Sequence, residues 1–267
     1  MNQQSKVAVV GAGIMGEALI SALISSGVNP ALITISEKRA DRSSELIARY
    51  SIQEAPLVTN VAQADALLLV VKPQDMAVVL AEIKESINPA AVVITFAAGK
   101  TISFVSNALG TSNPIIRVMP NTPTMVGAGM AAASMGAGVT NEQKKFVLGF
   151  LTATGKVIEV AEELQDAVTA TSGSGPAYFF AFVEAMVAGA KELGLSDQDA
   201  TTLTVQTIVG AAKLLDESGK SATILRENVT SPNGTTAAAL ASFGASDLNS
   251  MVAKAMKAAS DRSQELA

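Results

Sequence analysis

Cysteine, histidine and tryptophan are all absent from this chain of 267 residues. The absence of cysteine excludes disulfides, thiolate nucleophiles and cysteine-ligated metals, and it fits a reducing compartment. The absence of histidine removes the commonest acid–base side chain and the commonest protein metal ligand. We therefore predict no metal site, and we expect any catalysis to depend on other groups.

Charge is also scarce, since only 16% of the residues are charged and the net charge is -5. Binding to a phosphate backbone needs a basic surface, so we predict no nucleic-acid partner. The longest nearly uninterrupted apolar run, residues 177–190, is too short to span a bilayer and contains Glu184. The first residues carry no apolar signal-peptide region. We expect a soluble, cytoplasmic protein with no membrane partner.

A glycine-rich loop follows the first predicted strand, Val-Ala-Val-Val at residues 7–10, and an apolar helix follows the loop at once. The loop reads Gly-Ala-Gly-Ile-Met-Gly, which is the GxGxxG pattern of dinucleotide-binding units. In that pattern Gly11 permits the tight turn, Gly13 lets a pyrophosphate approach the backbone, and Gly16 lets helix and strand pack closely. The phosphates would bind free N–H groups at the positive helix end.

The end of the second predicted strand bears on which dinucleotide is bound. This strand ends at Ser36, about twenty residues past the glycine loop, where an acidic residue would select NAD through its ribose hydroxyls. Ser36 is neutral, and Lys38 and Arg39 suit a 2′-phosphate, so we predict NADP as cofactor, with NADPH preferred over NADH. Glu37 weakens this argument. The alternative is that residues 37–39 form an ordinary solvated helix start.

Strands and helices alternate over about the first 160 residues, which is typical of an α/β domain built on a parallel sheet. Residues 66–71 lack polar alternation, as expected of a strand buried on both faces. Lys72 and Pro73 follow it, at the sheet edge where such folds bind ligands. The other predicted strands are 57–60, 91–96, 115–119, 131–134 and 156–160. We predict a Rossmann NADP-binding domain over residues 1–161.

Helical patterns replace strand patterns from residue 162 onward, which predicts an all-α domain over residues 162–267. Pro176 stands where the first turn of a helix tolerates proline. The helix it opens, to residue 190, is apolar nearly all round, so one chain offers too little surface to cover it. We predict that a second subunit covers it in an obligate homodimer. Further helices are predicted over 162–170, 197–217 and 246–264.

A turn of small polar residues, Ser-Pro-Asn-Gly-Thr-Thr at 231–236, leads into another helix. Its threonine hydroxyls and free N–H groups would lie on one edge, which suits a small carboxylate. The alternative is a plain capping turn, because these are the common turn residues.

The motifs together resemble one family, the 1-pyrroline-5-carboxylate reductases, which catalyse the last step of proline biosynthesis. The resemblance covers essentially the whole chain through GAGIMG, VKPQDM, FAAGKTI, RVMPNTP, DAVTATSGSGPAY and NVTSPNGTTAAAL. It implies a Rossmann domain followed by a helical domain that interlocks with a second subunit, with dimers in some members assembling further.

The resemblance also implies which residues bind ligands. The cofactor contacts would be Gly11, Ala12, Gly13, Ile14, Met15, Gly16, Ser36, Asn60, Val70, Val71, Lys72, Pro73, Ala97, Ala98 and Gly99, with Asn228 contributing across the dimer. The substrate contacts would be Glu162, Ser231, Gly234, Thr235 and Thr236. Asn233 stands where the family usually has glycine, and we expect the turn to form because asparagine tolerates positive φ.

Hydride transfer to a cyclic imine needs alignment and a protonated nitrogen more than a strong base. Thr236 is our candidate for the catalytic hydrogen bond to that nitrogen, and Lys72 is the rival polar group. Two other interpretations remain open. One is a related imine reductase or β-hydroxyacid dehydrogenase, although residues 162–190 lack the lysine that the latter uses. The other is a noncatalytic NADPH-binding sensor.

Overall fold

The computed structural model describes residues 4–266. The chain folds into two compact units. The first unit comprises the chain up to Ser174 together with the segment from Ala259 onward. The second unit comprises Gly175–Ala258. The predicted boundary at residue 161 therefore precedes a short helical segment that still belongs to the first unit.

One sheet of eight strands forms the centre of the first unit, in the order β3-β2-β1-β4-β5-β6-β7-β8. All neighbouring strands are parallel except β6 and β7, which are antiparallel. The strands are β1 Val7–Val10, β2 Ile33–Ser36, β3 Gln53–Glu54, β4 Ala66–Leu69, β5 Val92–Thr95, β6 Ile115–Met119, β7 Gly129–Met135 and β8 Gly155–Glu159. Every residue of β1, β4 and β5 is buried, which explains their uninterrupted apolar sequences.

Helices cover both faces of this sheet, as in a Rossmann domain, so the predicted α/β class is confirmed. One core cluster lies on the face of α1, α2 and α6, and the other lies on the face of α3, α4 and α5. The helices of the first unit are α1 Ile14–Ser25, α2 Ala40–Tyr50, α3 Leu57–Gln63, α4 Met76–Ile83, α5 Ile102–Leu109, α6 Asn141–Thr152 and α7 Gln165–Val168.

The predicted strand at residues 57–60 is wrong, because Leu57–Gln63 forms helix α3 and the strand before it is only Gln53–Glu54. Pro56 occupies the N-cap of this helix, where its lack of an N–H costs nothing. Leu57 and Val61 then lie one helical turn apart and pack into the same core cluster. Helical spacing of the apolar residues thus overrides the strand propensity of Val58 and Thr59.

The second unit contains helices only, which confirms the predicted helical region. They are α8 Gly175–Glu192, α9 Asp197–Glu217, α10 Ala222–Asn228, α11 Thr235–Ala245 and α12 Leu248–Glu265, the last of which ends within the first unit. Among the described residues of this unit, only Gly175, Ala200 and Thr204 are buried. Large apolar side chains such as Phe179 and Phe180 are instead 65% and 63% exposed in the single chain.

No helix within residues 4–266 combines the length and the apolar character needed to cross a membrane.

Candidate cofactor and substrate sites

The glycine loop between β1 and α1 has the shape that a pyrophosphate requires. Gly11 has a φ of +88°, and a Cβ there would lie 2.8 Å from the Val70 carbonyl oxygen. A Cβ on Gly16 would collide with the Gly11 carbonyl oxygen. Around Gly13 there is open space, with nothing within 4 Å of an added Cβ, and this residue is the N-cap of α1 with no side-chain capping bond. The loop therefore fits a dinucleotide phosphate group.

Hydrogen bonds hold the loop from outside. The Gly11 N–H donates to the Ser36 carbonyl oxygen at 3.0 Å. The buried Ala12 is bound at both ends: its N–H donates to Glu37 Oε2 at 2.8 Å, and its carbonyl oxygen accepts from Arg42 Nε at 3.1 Å. The peptide groups of the loop are thus fixed in orientation by strand β2 and helix α2, before any ligand binds.

Arg42 also takes part in a buried ionic cluster beneath α1. Its guanidinium pairs with the Glu17 carboxylate, to which Arg49 and Tyr50 also donate hydrogen bonds. Burial alone would raise the pKa of Glu17, but hydrogen bonds from Arg42 and Tyr50, the charge of Arg42 and the bond from Arg49 together lower that pKa below its ordinary value. Glu17 therefore stays ionised and anchors the arginine that holds Ala12.

Ser36 and Asn60, both predicted cofactor residues, are bound to each other. The Ser36 hydroxyl donates to the Ala55 carbonyl oxygen at 2.9 Å and accepts from Asn60 Nδ2 at 3.0 Å. The same Asn60 amide donates to the Thr34 carbonyl oxygen. Because a hydroxyl has one proton, Ser36 has none left for a phosphate in this arrangement.

Lys38 and Arg39 are exposed, and within residues 4–266 no hydrogen bond or ion pair of their side chains is found.

The other predicted cofactor residues meet at the carboxyl edge of the sheet. Val70 and Val71 are half-buried where β4 ends, Lys72 is exposed, and Pro73 begins a short 3-10 helix. Ala97, Ala98 and Gly99 follow β5, and Gly99 has a φ of +73°. A Cβ on Gly99 would lie 2.6 Å from the Ser263 carbonyl oxygen, so the last residues of the described chain pack against this loop.

Glu162 is bound within the first unit by two groups that the motifs do not indicate. Its Oε1 accepts from the Ile102 N–H at 2.7 Å and lies 3.4 Å from a guanidinium nitrogen of Arg117. Arg117 is buried on β6 and also lies 3.7 Å from Asp166, which accepts a hydrogen bond from the Ser263 hydroxyl. The arginine within the otherwise apolar strand β6 is the sequence feature from which this cluster could have been predicted.

The turn at residues 231–236 lies in the second unit and forms as expected. Asn233 has a φ of +59°, and the Gly234 N–H donates to the Ser231 carbonyl oxygen at 3.0 Å. Helix α11 begins at Thr235 with Gly234 as N-cap, and no side chain caps it. Thr236 is half-exposed in the first turn of this helix. Asn228, the predicted contributor across a dimer, ends α10 and is exposed.

Comparison with known proteins covers both halves of the chain. The family model for pyrroline-5-carboxylate reductase dimerisation matches residues 162–266, and a model described as NADP oxidoreductase, coenzyme F420-dependent, matches residues 6–99. A pyrroline-5-carboxylate reductase from Corynebacterium melassecola is 40% identical over 264 residues, covering 97% of this chain and 98% of that protein. This chain belongs to the pyrroline-5-carboxylate reductase family.

Further relatives agree with this assignment. Pyrroline-5-carboxylate reductase 1 of Bacillus subtilis is 37% identical, over 98% of this chain and 90% of its own length. The structure of a pyrroline-5-carboxylate reductase from Coxiella burnetii matches with a TM-score of 0.90 at 33% identity, covering 99% of both chains. That of Plasmodium falciparum pyrroline carboxylate reductase with NADP bound matches with a TM-score of 0.88 at 27% identity, covering 100% of this chain and 99% of that chain. The resemblance inferred from the motifs is confirmed.

Proposed function

We propose that this chain reduces the C=N bond of 1-pyrroline-5-carboxylate to give L-proline. The observation that carries the proposal is the glycine loop shaped for a dinucleotide, in a chain whose relatives of that name align over nearly its full length. One substrate molecule, one reduced dinucleotide and one proton give one proline and one oxidised dinucleotide. A related imine or hydroxyacid dehydrogenase and a noncatalytic sensor are the alternatives that the assay below separates.

The chain's own residues supply binding and alignment. When bound, the reduced nicotinamide supplies the hydride that the ring carbon of the imine receives. The loop at residues 11–16 binds the phosphates, and residues 70–73 and 97–99 line the carboxyl edge of the sheet beside it. We assign this role to a Rossmann domain of residues 1–161. Residues 162–267 form the dimerisation and substrate domain, and Asn228 reaches the cofactor of the partner subunit.

The turn at residues 231–236 is our proposed carboxylate site. Ser231 and Thr235 present hydroxyl groups, together with the Thr235 backbone N–H, at the start of α11, where the helix dipole favours an anion. Gly234, whose N–H is bound to the Ser231 carbonyl oxygen, shapes the turn. Thr236 Oγ1 accepts a hydrogen bond from the N–H of the protonated ring nitrogen, or it donates to the unprotonated nitrogen and relays to it a proton from water. Glu162 acts less directly, because it is bound to Ile102 and Arg117, and it supports the loop that begins α5.

The proposal extends to cofactor choice and assembly. Lys38 and Arg39 are exposed near the glycine loop, and their charge favours the 2′-phosphate of NADPH over NADH. The match of residues 162–266 to a dimerisation domain supports a homodimer. We propose that this dimer is obligate, that dimers can assemble further, and that the enzyme acts in the cytoplasm.

The test is an absorbance assay of the purified protein with 1-pyrroline-5-carboxylate, run with NADPH and with NADH, with proline identified as product. Turnover with proline formed supports the reductase. Dinucleotide binding without turnover would instead favour another imine substrate or a sensor. No dinucleotide binding would contradict the proposal as a whole.

The proposed role of Thr236 has its own test. Thr236→Ala should lower kcat by about a hundredfold while the dissociation constant for the cofactor changes little, since a positioned proton donor contributes about that much. Thr236→Ser keeps the hydroxyl and should recover most of the activity. Equal losses of kcat and cofactor affinity in Thr236→Ala would exclude this role.

A further inference from the structure

We propose that Glu37 recognises the adenosine ribose of the cofactor through its 2′-hydroxyl and thereby limits the preference for NADPH. This inference rests on the proposed dinucleotide-binding function. Glu37 is not among the cofactor contacts that the family resemblance implies. Its charge opposes the effect of Lys38 and Arg39.

The geometry of strand β2 places Glu37, rather than Ser36, at the glycine loop. Successive side chains of a strand point to opposite faces. Ser36, the last residue of β2, faces Asn60 of helix α3 and binds it. Glu37 follows and points the other way, so that its Oε2 accepts the Ala12 N–H at 2.8 Å. An acid in this position, about twenty residues past the loop, is the group that binds ribose hydroxyls in NAD-binding folds.

Glu37 is held in this place. Its Oε1 accepts the Arg39 N–H at 3.1 Å while its Oε2 is bound to Ala12, so both oxygens are fixed by backbone groups. Ala12 is itself immobilised by Arg42, which binds its carbonyl oxygen. An ionised carboxylate accepts about four hydrogen bonds, so each oxygen keeps capacity for a hydroxyl donor. A ribose beside the loop can donate to it without displacing either backbone bond.

A 2′-phosphate in the same place would meet a like charge. The phosphate is an acceptor with about two negative charges, and it cannot donate to the carboxylate. Ser36 offers no compensating proton, because its hydroxyl donates to Ala55. Among the described residues at this edge, the exposed Lys38 and Arg39 favour the phosphate, and solvent weakens their attraction. Glu37 therefore works against NADPH and in favour of NADH.

The alternative role for Glu37 is to brace the loop without contact with the cofactor. The two roles predict different results, because a brace affects both dinucleotides equally, whereas a ribose contact affects them in opposite directions. The variant Glu37→Gln separates them, since it removes the charge but keeps an oxygen that can accept the Ala12 N–H.

The experiment is calorimetric titration of the purified full-length protein with NAD+ and with NADP+, which reports binding without catalysis. Glu37→Gln should lower the dissociation constant for NADP+ by about fivefold and raise that for NAD+ by about threefold, as expected for one partly solvated charge. Lys38→Ala combined with Arg39→Ala should weaken NADP+ binding more than NAD+ binding. The control is Asp41→Asn, an exposed acid at the start of α2, which should change both constants by less than about twofold.

Each outcome decides the proposal. Dissociation constants that stay unchanged, or that rise equally for NAD+ and NADP+, in Glu37→Gln would leave Glu37 as a brace of the loop and overturn the proposal. Opposite shifts in a protein that fails to reduce 1-pyrroline-5-carboxylate would keep the inference and overturn the proposed reaction. If the unaltered protein binds neither dinucleotide, both fail together.

Discussion

The two units of this molecule differ in where their apolar residues lie. In the first unit, two clusters of buried side chains fill both faces of an eight-stranded sheet. In the second unit, Phe179, Phe180 and Phe182 are exposed in the single chain, and only three described residues are buried. The first unit thus has a core of its own, whereas the second has the composition of a core without the burial. Its stability must come from association.

This difference bears on function as well as on stability. The predicted cofactor loop lies in the self-sufficient unit, while the proposed carboxylate turn and Thr236 lie in the unit that lacks a core. The match of residues 162–266 to a dimerisation domain supplies the association that this unit needs. We therefore expect cofactor binding to tolerate changes at the helical surface better than catalysis does.

The largest expected effect comes from a charge on the exposed face of helix α8. Phe179→Asp removes a side chain whose burial contributes about 2 kcal/mol and places a carboxylate in an apolar interface, once from each subunit. The dimer dissociation constant should rise by at least about a hundredfold, with loss of reductase activity. Light scattering coupled to size-exclusion chromatography, together with the activity assay, measures both effects.

The matched control is Val78→Asp on helix α4 of the first unit. Val78 is 67% exposed, much like Phe179 at 65%, so the two substitutions place a charge at sites of equal exposure in the single chain. Val78→Asp should leave assembly and activity unchanged. A Phe179→Asp protein that remains dimeric and active would show that α8 is not the interface, and the contrast between the units would need another explanation.

The next largest effects concern the stability and the dinucleotide affinity of the first unit. Gly16→Ala should destabilise the protein by about 3 kcal/mol, because its Cβ collides with the fixed Gly11 carbonyl oxygen. Gly13→Ala meets nothing within 4 Å, so it should fold normally but bind the dinucleotide at least about tenfold more weakly, since the methyl group occupies the space left for the phosphates. Thermal unfolding and calorimetric titration measure the two quantities.

Equal stability of the two glycine variants would contradict this division of roles. The light-scattering mass provides the control, because neither substitution touches the second unit and both proteins should remain dimers. A dimer lost in Gly13→Ala would mean that the units are not as independent in their stability as their burial patterns indicate.

Local patterns were sufficient to predict most of the first unit. The glycine loop and the fully buried strands β1, β4 and β5 follow from short stretches of sequence, because a parallel strand buried on both faces has no polar alternation. The strand expected at residues 57–60 failed because strand propensity was given more weight than the helical spacing of Leu57 and Val61. Helix α9 has the bounds that were predicted for it.

The candidate site was harder to predict than the fold, because its contacts join residues far apart in the chain. The bond between Glu162 and Ile102, and the buried Arg117 between Glu162 and Asp166, depend on tertiary packing that no local pattern encodes. The position of Glu37 could have been predicted from the sequence. The alternation of side chains along β2 puts Ser36 on the side of α3, and Glu37 therefore on the side of the loop.

The smallest expected effect is a pH-dependent change in stability that arises in the first unit. Hydrogen bonds and arginine charges lower the pKa of the buried Glu17 carboxyl despite the opposing effect of burial, so its ionised form stabilises the fold above the unfolded pKa, near 4.5. That stability is lost as the pH falls through the lower folded pKa. Glu17→Gln should therefore lower the melting temperature at pH 7 by a few degrees, equivalent to about 1–2 kcal/mol.

The difference in melting temperature between the two proteins should stay constant from pH 8 to 6 and narrow below about pH 4.5, where the Glu17 carboxyl of the unfolded wild-type chain begins to take up its proton while that of the folded chain is still ionised. A difference that widens on acidification would reverse the sign and show that burial, not Arg42, dominates the pKa of Glu17. The mass from light scattering should be the same for both proteins at neutral pH, because this cluster lies wholly within the first unit. Its contribution would then be assigned to the sheet domain alone, leaving subunit association to stabilise the helices of the second unit.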